Sequence, residues 1–476
     1  MLVCPPASRA CSCPLALLLY AALPWVRRID QSGAEARGPG IMSTGGQGRC
    51  LDAFIIVLGQ ACKGGEKRWY ASTLQLQLAS LEFCRACRSI QTLAVRVKAS
   101  TRQSLWIKPK TSPRRNSSKK IRRSSRVPVV RAVRLTWALP LNDLVRFAAV
   151  ELWRWSESLW LTGVVSALGL ESVAWPKGLK ELVLDIGLEV PVSAVPWPPS
   201  LERLVLGGRL NKPIGGASWP SSLHQLSFGM DFNQSVAGVV WPTSLQQLSF
   251  GISFNRPIAG VVWPSSLRQL EFGAQFNQLI AGVVWPPSLR QLSFGREFNR
   301  PLTGVMWPSS LQQLSFGALF SQPVAGVMWP SSLQQLAFGN YFNHPIAGVV
   351  WPDSLQQLSF GKKFNQPIAG IAWPGSFQQL SFGHRFNQSI AEVTWPASLR
   401  KLSFGHRFNQ PIAGVVWPAS LQQLTFGNNF NQPVTGVAWP ASLQQLSFGD
   451  AFSQPIAGIV WPISLQSVTR GGISMI

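Results

Sequence analysis

The sequence predicts a mainly β solenoid of about 13 coils of 22 residues, on three observations. Trp-Pro pairs begin at 175, 197, 219, 241, 263, 285, 307, 329, 351, 373, 395, 417, 439 and 461, with no insertion or deletion between them. A globular core does not keep such a period, whereas stacked repeats do. Apolar residues return at the same places in every unit. Finally, no stretch of the 22 residues offers the ten or more periodic positions of a proper helix, so short parallel strands and turns are expected, with at most a helical turn near Ser244 to Gln246.

Each unit is numbered here from its Trp-Pro, as positions 1 and 2. Leucine at 5 and 8 and phenylalanine at 10, as in Leu245, Leu248 and Phe250, give L-x-x-L-x-F. Positions 8 and 10 alternate like a strand with one face inward. Gly251 at position 11 permits a backbone turn that a Cβ hinders. Phe254 at 14 and Ile258 at 18 are again apolar and point inward, and Pro257 and Gly260 turn the chain back toward the next corner. Proline fixes its own φ and holds its predecessor extended, so the Trp-Pro and Gln-Pro pairs set corners outside the sheet.

The recurring Phe-Asn-x-Pro-Ile core stands as Phe254-Asn255-Arg256-Pro257-Ile258, Phe364-Asn365-Gln366-Pro367-Ile368 and Phe408-Asn409-Gln410-Pro411-Ile412. On these motifs the chain resembles the FNIP repeat family, a leucine-rich-repeat-like (LRR-like) group, over roughly residues 175 to 468. The family often opens its unit with Leu-Pro where this chain has Trp-Pro; both place an apolar residue before a corner proline. The resemblance implies an LRR-like architecture and a binding role. It carries no catalytic residues to transfer.

Asparagine at position 15 recurs as Asn255, Asn277, Asn299, Asn343, Asn365, Asn387, Asn409 and Asn431, with serine at Ser321 and Ser453. An amide fixed in every coil satisfies turn backbone groups and stacks as a structural ladder. Asn233-Gln234-Ser235 and Asn387-Gln388-Ser389 are formal glycosylation sequons. A buried ladder asparagine carries no glycan, which favours an intracellular home in cytoplasm or nucleus over secretion.

The N-terminal third differs in composition. Residues 1 to 150 hold about +19 of the formal charge of +24, and all seven cysteines. Three regions are therefore expected: a basic, Cys-containing and mostly disordered segment over 1–136, a helical N-terminal cap over 137–174, and the solenoid over 175–470. Residues 13 to 25 form an apolar run too short to span a bilayer and without a clear small-x-small cleavage site after it. Residues 26 to 70 read as loop or disorder. Short strands are expected within 73 to 98, where Leu74, Leu76, Leu78 and Leu81, then Leu93, Val95 and Val97, alternate. Cys84 and Cys87 make a lone CxxC; a zinc site needs four ligands, so ordinary thiols and no metal are expected. Leu144, Phe147 and Leu152 suit a capping helix over 141–152, joined by Trp153, Trp155 and Trp160, since solenoids require covered ends. Leu139-Pro140 before that helix also faintly suggests the opening of an F-box. Charged residues treat the outer coils: Lys180, Glu181, Asp185, Glu189, Glu202 and Arg203 at one end, with Val468 and Arg470 in place of Leu and Phe at the other.

With the scaffold positions assigned, function falls to positions that vary and face water. Positions 7 and 9 form nearly monotonous Gln and Ser columns. Positions 12 and 13 differ in nearly every coil, so the candidate partner-binding residues are Arg296, Glu297, Asn340, Tyr341, Lys362, Lys363, His384, Arg385, His406 and Arg407. The last six make a basic strip suited to an acidic partner. A second cluster lies in the segment 96–134, at Arg114, Arg115, Lys119, Lys120, Arg122, Arg123 and Arg126. Such a run attracts nucleic-acid backbones or anionic surfaces, although aromatic residues for base stacking are almost absent between Trp106 and Trp137. Four histidines and scattered single carboxylates offer no nucleophile-base pair, metal cluster or phosphate loop. A non-enzymatic protein-interaction scaffold without cofactor is expected. Nucleic-acid association through the basic segment and an F-box-like substrate adaptor are the alternatives.

Overall fold

The computed structural model describes residues 157–162, 170, 173–185 and 191–475, together with the strand backbones 53–58, 92–97 and 132–137. The chain divides into two compact units, one of Met1–Val190 with Ala194–Leu206 and one of Pro191–Ser193 with Gly207–Ile476.

In the first unit, β1 (Ala53–Leu58), β2 (Thr92–Val97), β3 (Ala132–Trp137), β4 (Ser158–Thr162), β5 (Glu181–Asp185) and β6 (Arg203–Leu206) pair in succession, all parallel. The expected alternation of Leu93, Val95 and Val97 falls in β2; Leu74 to Leu81 lie outside the described residues. Strand β1 corrects the reading of 26–70 as loop. Its sequence AFIIVL is a short, wholly apolar run, which marks a strand without showing any period.

The helical cap also needs correction. The helix expected over 141–152, with its F-box-like opening, and Trp153 and Trp155 lie outside the described residues. Trp160, however, sits in β4, where Leu159 and Leu161 are buried in strand alternation. A strand paired on both sides leaves no place for a covering helix there. The charges assigned to end treatment pair with each other: Arg203 Nη1 lies 2.6 Å from Glu181 Oε1, and Lys180 Nζ lies 3.7 Å from Glu202 Oε1.

The second unit holds β7 (Gln225–Phe228), β8 (Gln247–Ser249), β9 (Gln269–Glu271), β10 (Gln291–Ser293), β11 (Gln313–Ser315), β12 (Gln335–Ala337), β13 (Gln357–Ser359), β14 (Gln379–Ser381), β15 (Lys401–Ser403), β16 (Gln423–Thr425), β17 (Gln445–Phe448), β18 (Ser467–Arg470) and β19 (Ile473–Ser474). From β7 to β18 each strand pairs parallel with the next, and like residues face like: Gln291 opposes Gln313, Leu292 opposes Leu314, Ser293 opposes Ser315. The last strand, β19, returns antiparallel onto β18, a hairpin that covers part of its edge. Strands β5 to β18 make fourteen turns at the 22-residue spacing, one more than the expected thirteen.

Three turns fold each coil. In the unit of Trp241, Leu245 N–H donates to Pro242, Phe254 N–H to Gly251 and Val261 N–H to Ile258, at 3.0, 3.2 and 3.3 Å. The segment near Ser244 is thus a reverse turn rather than a helical one. Leucines at 5 and 8, phenylalanines at 10 and 14 and the residue at 18 fill the interior; Phe254, Phe276 and Phe298 are wholly buried. Phe250 stacks on Phe254 within the coil at 4.1 Å between ring centroids and on Phe272 of the next at 5.7 Å. The same zigzag runs from Phe228 to Phe452. Such offset stacking adds to the stabilisation from the apolar area buried.

The two glycines that recur in the unit serve different ends. Gly260 takes φ +74°, a left-handed value that a Cβ penalises. At position 11 the requirement is space: a Cβ on Gly251 would land on the carbonyl of Gly229, one coil below. Its role is close approach of neighbouring coils rather than the turn expected from the sequence.

Candidate functional site

A groove of about 640 Å³ runs along the strand face of the second unit, from Gln269 to Thr425. The strands β9 to β16 line it, so its floor is the position 7 and 9 columns. Both columns are polar and largely uncharged, and Ser249 Oγ donates to Ser227 Oγ at 2.8 Å. Glu271 and Lys401 bring the only formal charges to the lining.

The pair at positions 12 and 13 lies beyond the glycine column. Its side chains vary, but its backbone does not float. The position 13 N–H donates to the position 12 carbonyl of the preceding coil: Lys363 to Asn340 at 2.8 Å, Arg385 to Lys362 at 2.9 Å, Arg407 to His384 at 2.9 Å. The ten candidate residues are therefore presented in register. Arg296 and Glu297 are exposed and stand apart from the rest, while Asn340 is half-buried. Lys363 reaches back to place its Nζ 3.7 Å above the Tyr341 ring, a cation–π contact. His384 and His406 stack at 4.5 Å with rings nearly parallel. Desolvation, then the positive charges of His406, Arg407, Arg385 and Lys362, hold the His384 pKa below its ordinary value.

The position 15 amides make a bond that sequence reasoning placed only in outline. Each Oδ1 accepts the backbone N–H of position 15 one coil on: Asn255 from Asn277, Asn277 from Asn299 and Asn299 from Ser321, at 3.0, 3.0 and 2.9 Å. The series resumes with Asn343 to Asn365, Asn365 to Asn387, Asn387 to Asn409 and Asn409 to Asn431. Asn431 accepts from Ser453 in turn. The glutamine at position 16 adds a second bond, as Gln278 Nε2 donates to Asn255 Oδ1 at 2.8 Å.

The basic cluster Arg114 to Arg126, with Cys84 and Cys87, lies outside the described residues. Of the wider basic segment, Arg96 falls in β2 and Arg134 in β3. Among the described residues no group of three or more His, Cys, Asp or Glu is placed to hold a metal ion. His344 Nε2 lies 2.9 Å from the Ser321 carbonyl, a contact within the scaffold.

One surface escaped the sequence reading. Position 22 carries Val240, Val262, Val284, Met306, Met328 and Val350, each between 74 % and 81 % exposed. Its neighbour at position 21, such as Val261, is buried. Two adjacent valines look alike in sequence; the signal available was strand-like alternation, which puts only one of them inside.

In-register parallel strands, one per 22 residues, around a core of stacked Leu and Phe define an LRR-like β-solenoid. The FNIP repeat matches at residues 232–275, 276–319, 298–341, 320–363, 342–385, 386–429, 408–437 and 430–469, together half of the chain. The protein belongs to the FNIP repeat family. Among solved structures it is similar to CroV588, described as a novel circular LRR protein, at 36% identity and a TM-score of 0.63 over 72% of this chain and 50% of that one. The chain thus spans about half the length of that protein. A leucine rich cell surface protein from Faecalibacterium prausnitzii aligns over 88% of each chain at 8% identity and a TM-score of 0.15, too low to bear on the fold. Comparison with curated proteins finds no match.

Proposed function

We propose that the solenoid is a protein-interaction scaffold that receives a protein partner along its strand-face groove, with the position 12 and 13 edge as a second contact surface. The groove is the observation that carries this reading. Its columns of Gln and Ser offer donors and acceptors at every coil, and parallel pairing holds their backbone rigid, which lowers the ordering cost of binding. The chemistry present suits binding rather than catalysis: Asp231, Glu297, Asp353, Glu392 and Asp450 sit singly on separate coils, and His384 and His406 stack on each other. Cofactors have no role in it.

An intracellular home fits the same geometry. The sequon residues Asn233 and Asn387 are half-buried, and their Oδ1 atoms accept backbone N–H groups of the next coil. No helix among the described residues is long and apolar enough to cross a membrane.

The test compares the full-length chain as bait with a Gln313→Arg, Gln335→Arg, Gln357→Arg variant. Proteins captured by the first and lost by the second, at equal thermal midpoint, support the groove as the site. Equal capture by both removes it.

A further inference from the structure

The positive strip has chemistry of its own. Three successive coils present Lys362 and Lys363, His384 and Arg385, then His406 and Arg407, with Lys362 and both His-Arg pairs exposed. Before it stand Asn340 and Tyr341; after it come Asn428, whose Nδ2 donates to Asp450 Oδ2 at 2.8 Å, and Asn429. The positive field is therefore short, and Glu297 and Asp450 bound it on the same edge. Neighbouring parallel strands lie about 4.8 Å apart, so the strip measures about 10 Å along the stack, the reach of roughly three or four residues of extended chain.

We propose that this strip docks an acidic polypeptide segment, a short run of Asp or Glu, and that docking takes up a proton on His384, which stacks on His406. The inference rests on the scaffold reading above and names a partner chemistry for its second surface. Charge complementarity selects the occupant. Nucleic acid fits less well, because its affinity comes from neutralising phosphates over a longer track. One face of Tyr341, the exposed aromatic residue beside the strip, is also already covered by Lys363.

The proton linkage follows from what surrounds the stack. His384 faces Lys362 on the preceding coil, Arg385 on its own, and His406 and Arg407 on the next, all positive or able to become so. In the free protein these neighbours oppose the imidazolium form of His384. Carboxylates laid over the strip favour it, so the complex binds more protons than its parts, and affinity rises as pH falls through the interval between the free and bound states.

The experiment titrates the full chain with a fluorescent octaglutamate peptide at about pH 7.5 and about pH 6.0, where imidazole changes charge. Binding is expected to be about three- to tenfold tighter at the lower pH, within the tenfold per pH unit that one proton allows. Lys362→Glu with Arg385→Glu and Arg407→Glu should lose at least about tenfold at both values, consistent with several charge pairs. His384→Gln with His406→Gln should keep the affinity at the higher pH and lose the rise. Absence of binding, a pH-independent affinity, or equal binding by the charge-reversed variant overturns the proposal. So does tighter binding of an oligothymidylate of equal charge, which would make the strip a general anion surface. Equal thermal midpoints exclude misfolding, and the groove substitutions above test the parent reading separately.

Discussion

Positions 10 to 14 set two regions side by side. Phe294 and Phe298 are buried to within a few per cent and stack with the phenylalanines of both neighbouring coils. Between them, Arg296 and Glu297 are exposed and replaced by other residues in every other coil. Backbone bonds to a neighbouring coil tie down both regions, as Phe294 N–H donates to the Ser315 carbonyl and Glu297 N–H to the Ala274 carbonyl. The difference lies only in what the side chains meet, and it teaches that the solenoid separates holding from recognising at a spacing of two residues.

Five variants break or sharpen this contrast. Phe298→Ala should be the most damaging, at about 3–5 kcal/mol, since a cavity would open in a continuous aromatic stack. Chemical denaturation followed by tryptophan fluorescence measures it. Gly295→Ala should follow at about 3 kcal/mol, near the upper end for overpacking, because its Cβ meets the Gly273 carbonyl and backbone must move. Asn277→Ala orphans the half-buried N–H of Asn299, a loss of about 1–2 kcal/mol. Its converse, Ser321→Asn, extends the ladder toward Asn343 and should raise the thermal midpoint slightly. Arg296→Ser with Glu297→Ser should leave the denaturation midpoint unchanged, as surface changes away from such bonds usually do.

The corner tryptophans sharpen the same point. Trp241 and Trp263 stack at 6.2 Å, yet their indole Nε1 atoms are buried without a hydrogen-bond partner. Leaving such a donor unsatisfied offsets part of what burying the ring contributes. At Trp241 and Trp263, position 1 therefore uses the apolar body of the ring and not its indole nitrogen.

Much of this was legible in the sequence. Leu248, Phe250, Phe254 and Ile258 were placed inward from period and polarity, and all are buried. The reading failed where two residues of like chemistry had different surroundings. Val261 and Val262 are equally apolar, and only one is inside. Gly251 and Gly260 are both glycine, and one serves close approach while the other serves φ. Trp160 suggested part of a cap, but the alternation of buried Leu159 and Leu161 on either side places it in strand β4.

By itself the sequence determined the repeat, its length, the inward residues and the corners, because these depend on spacing along one chain and on hydrophobicity. Only the tertiary structure decided what meets across 22 residues: the Asn255 amide on the Asn277 backbone, Lys363 over Tyr341, His384 against His406, and the groove along β9 to β16. Those contacts depend on the rise and register between coils, distances that the pairing of whole strands sets and that no single unit contains.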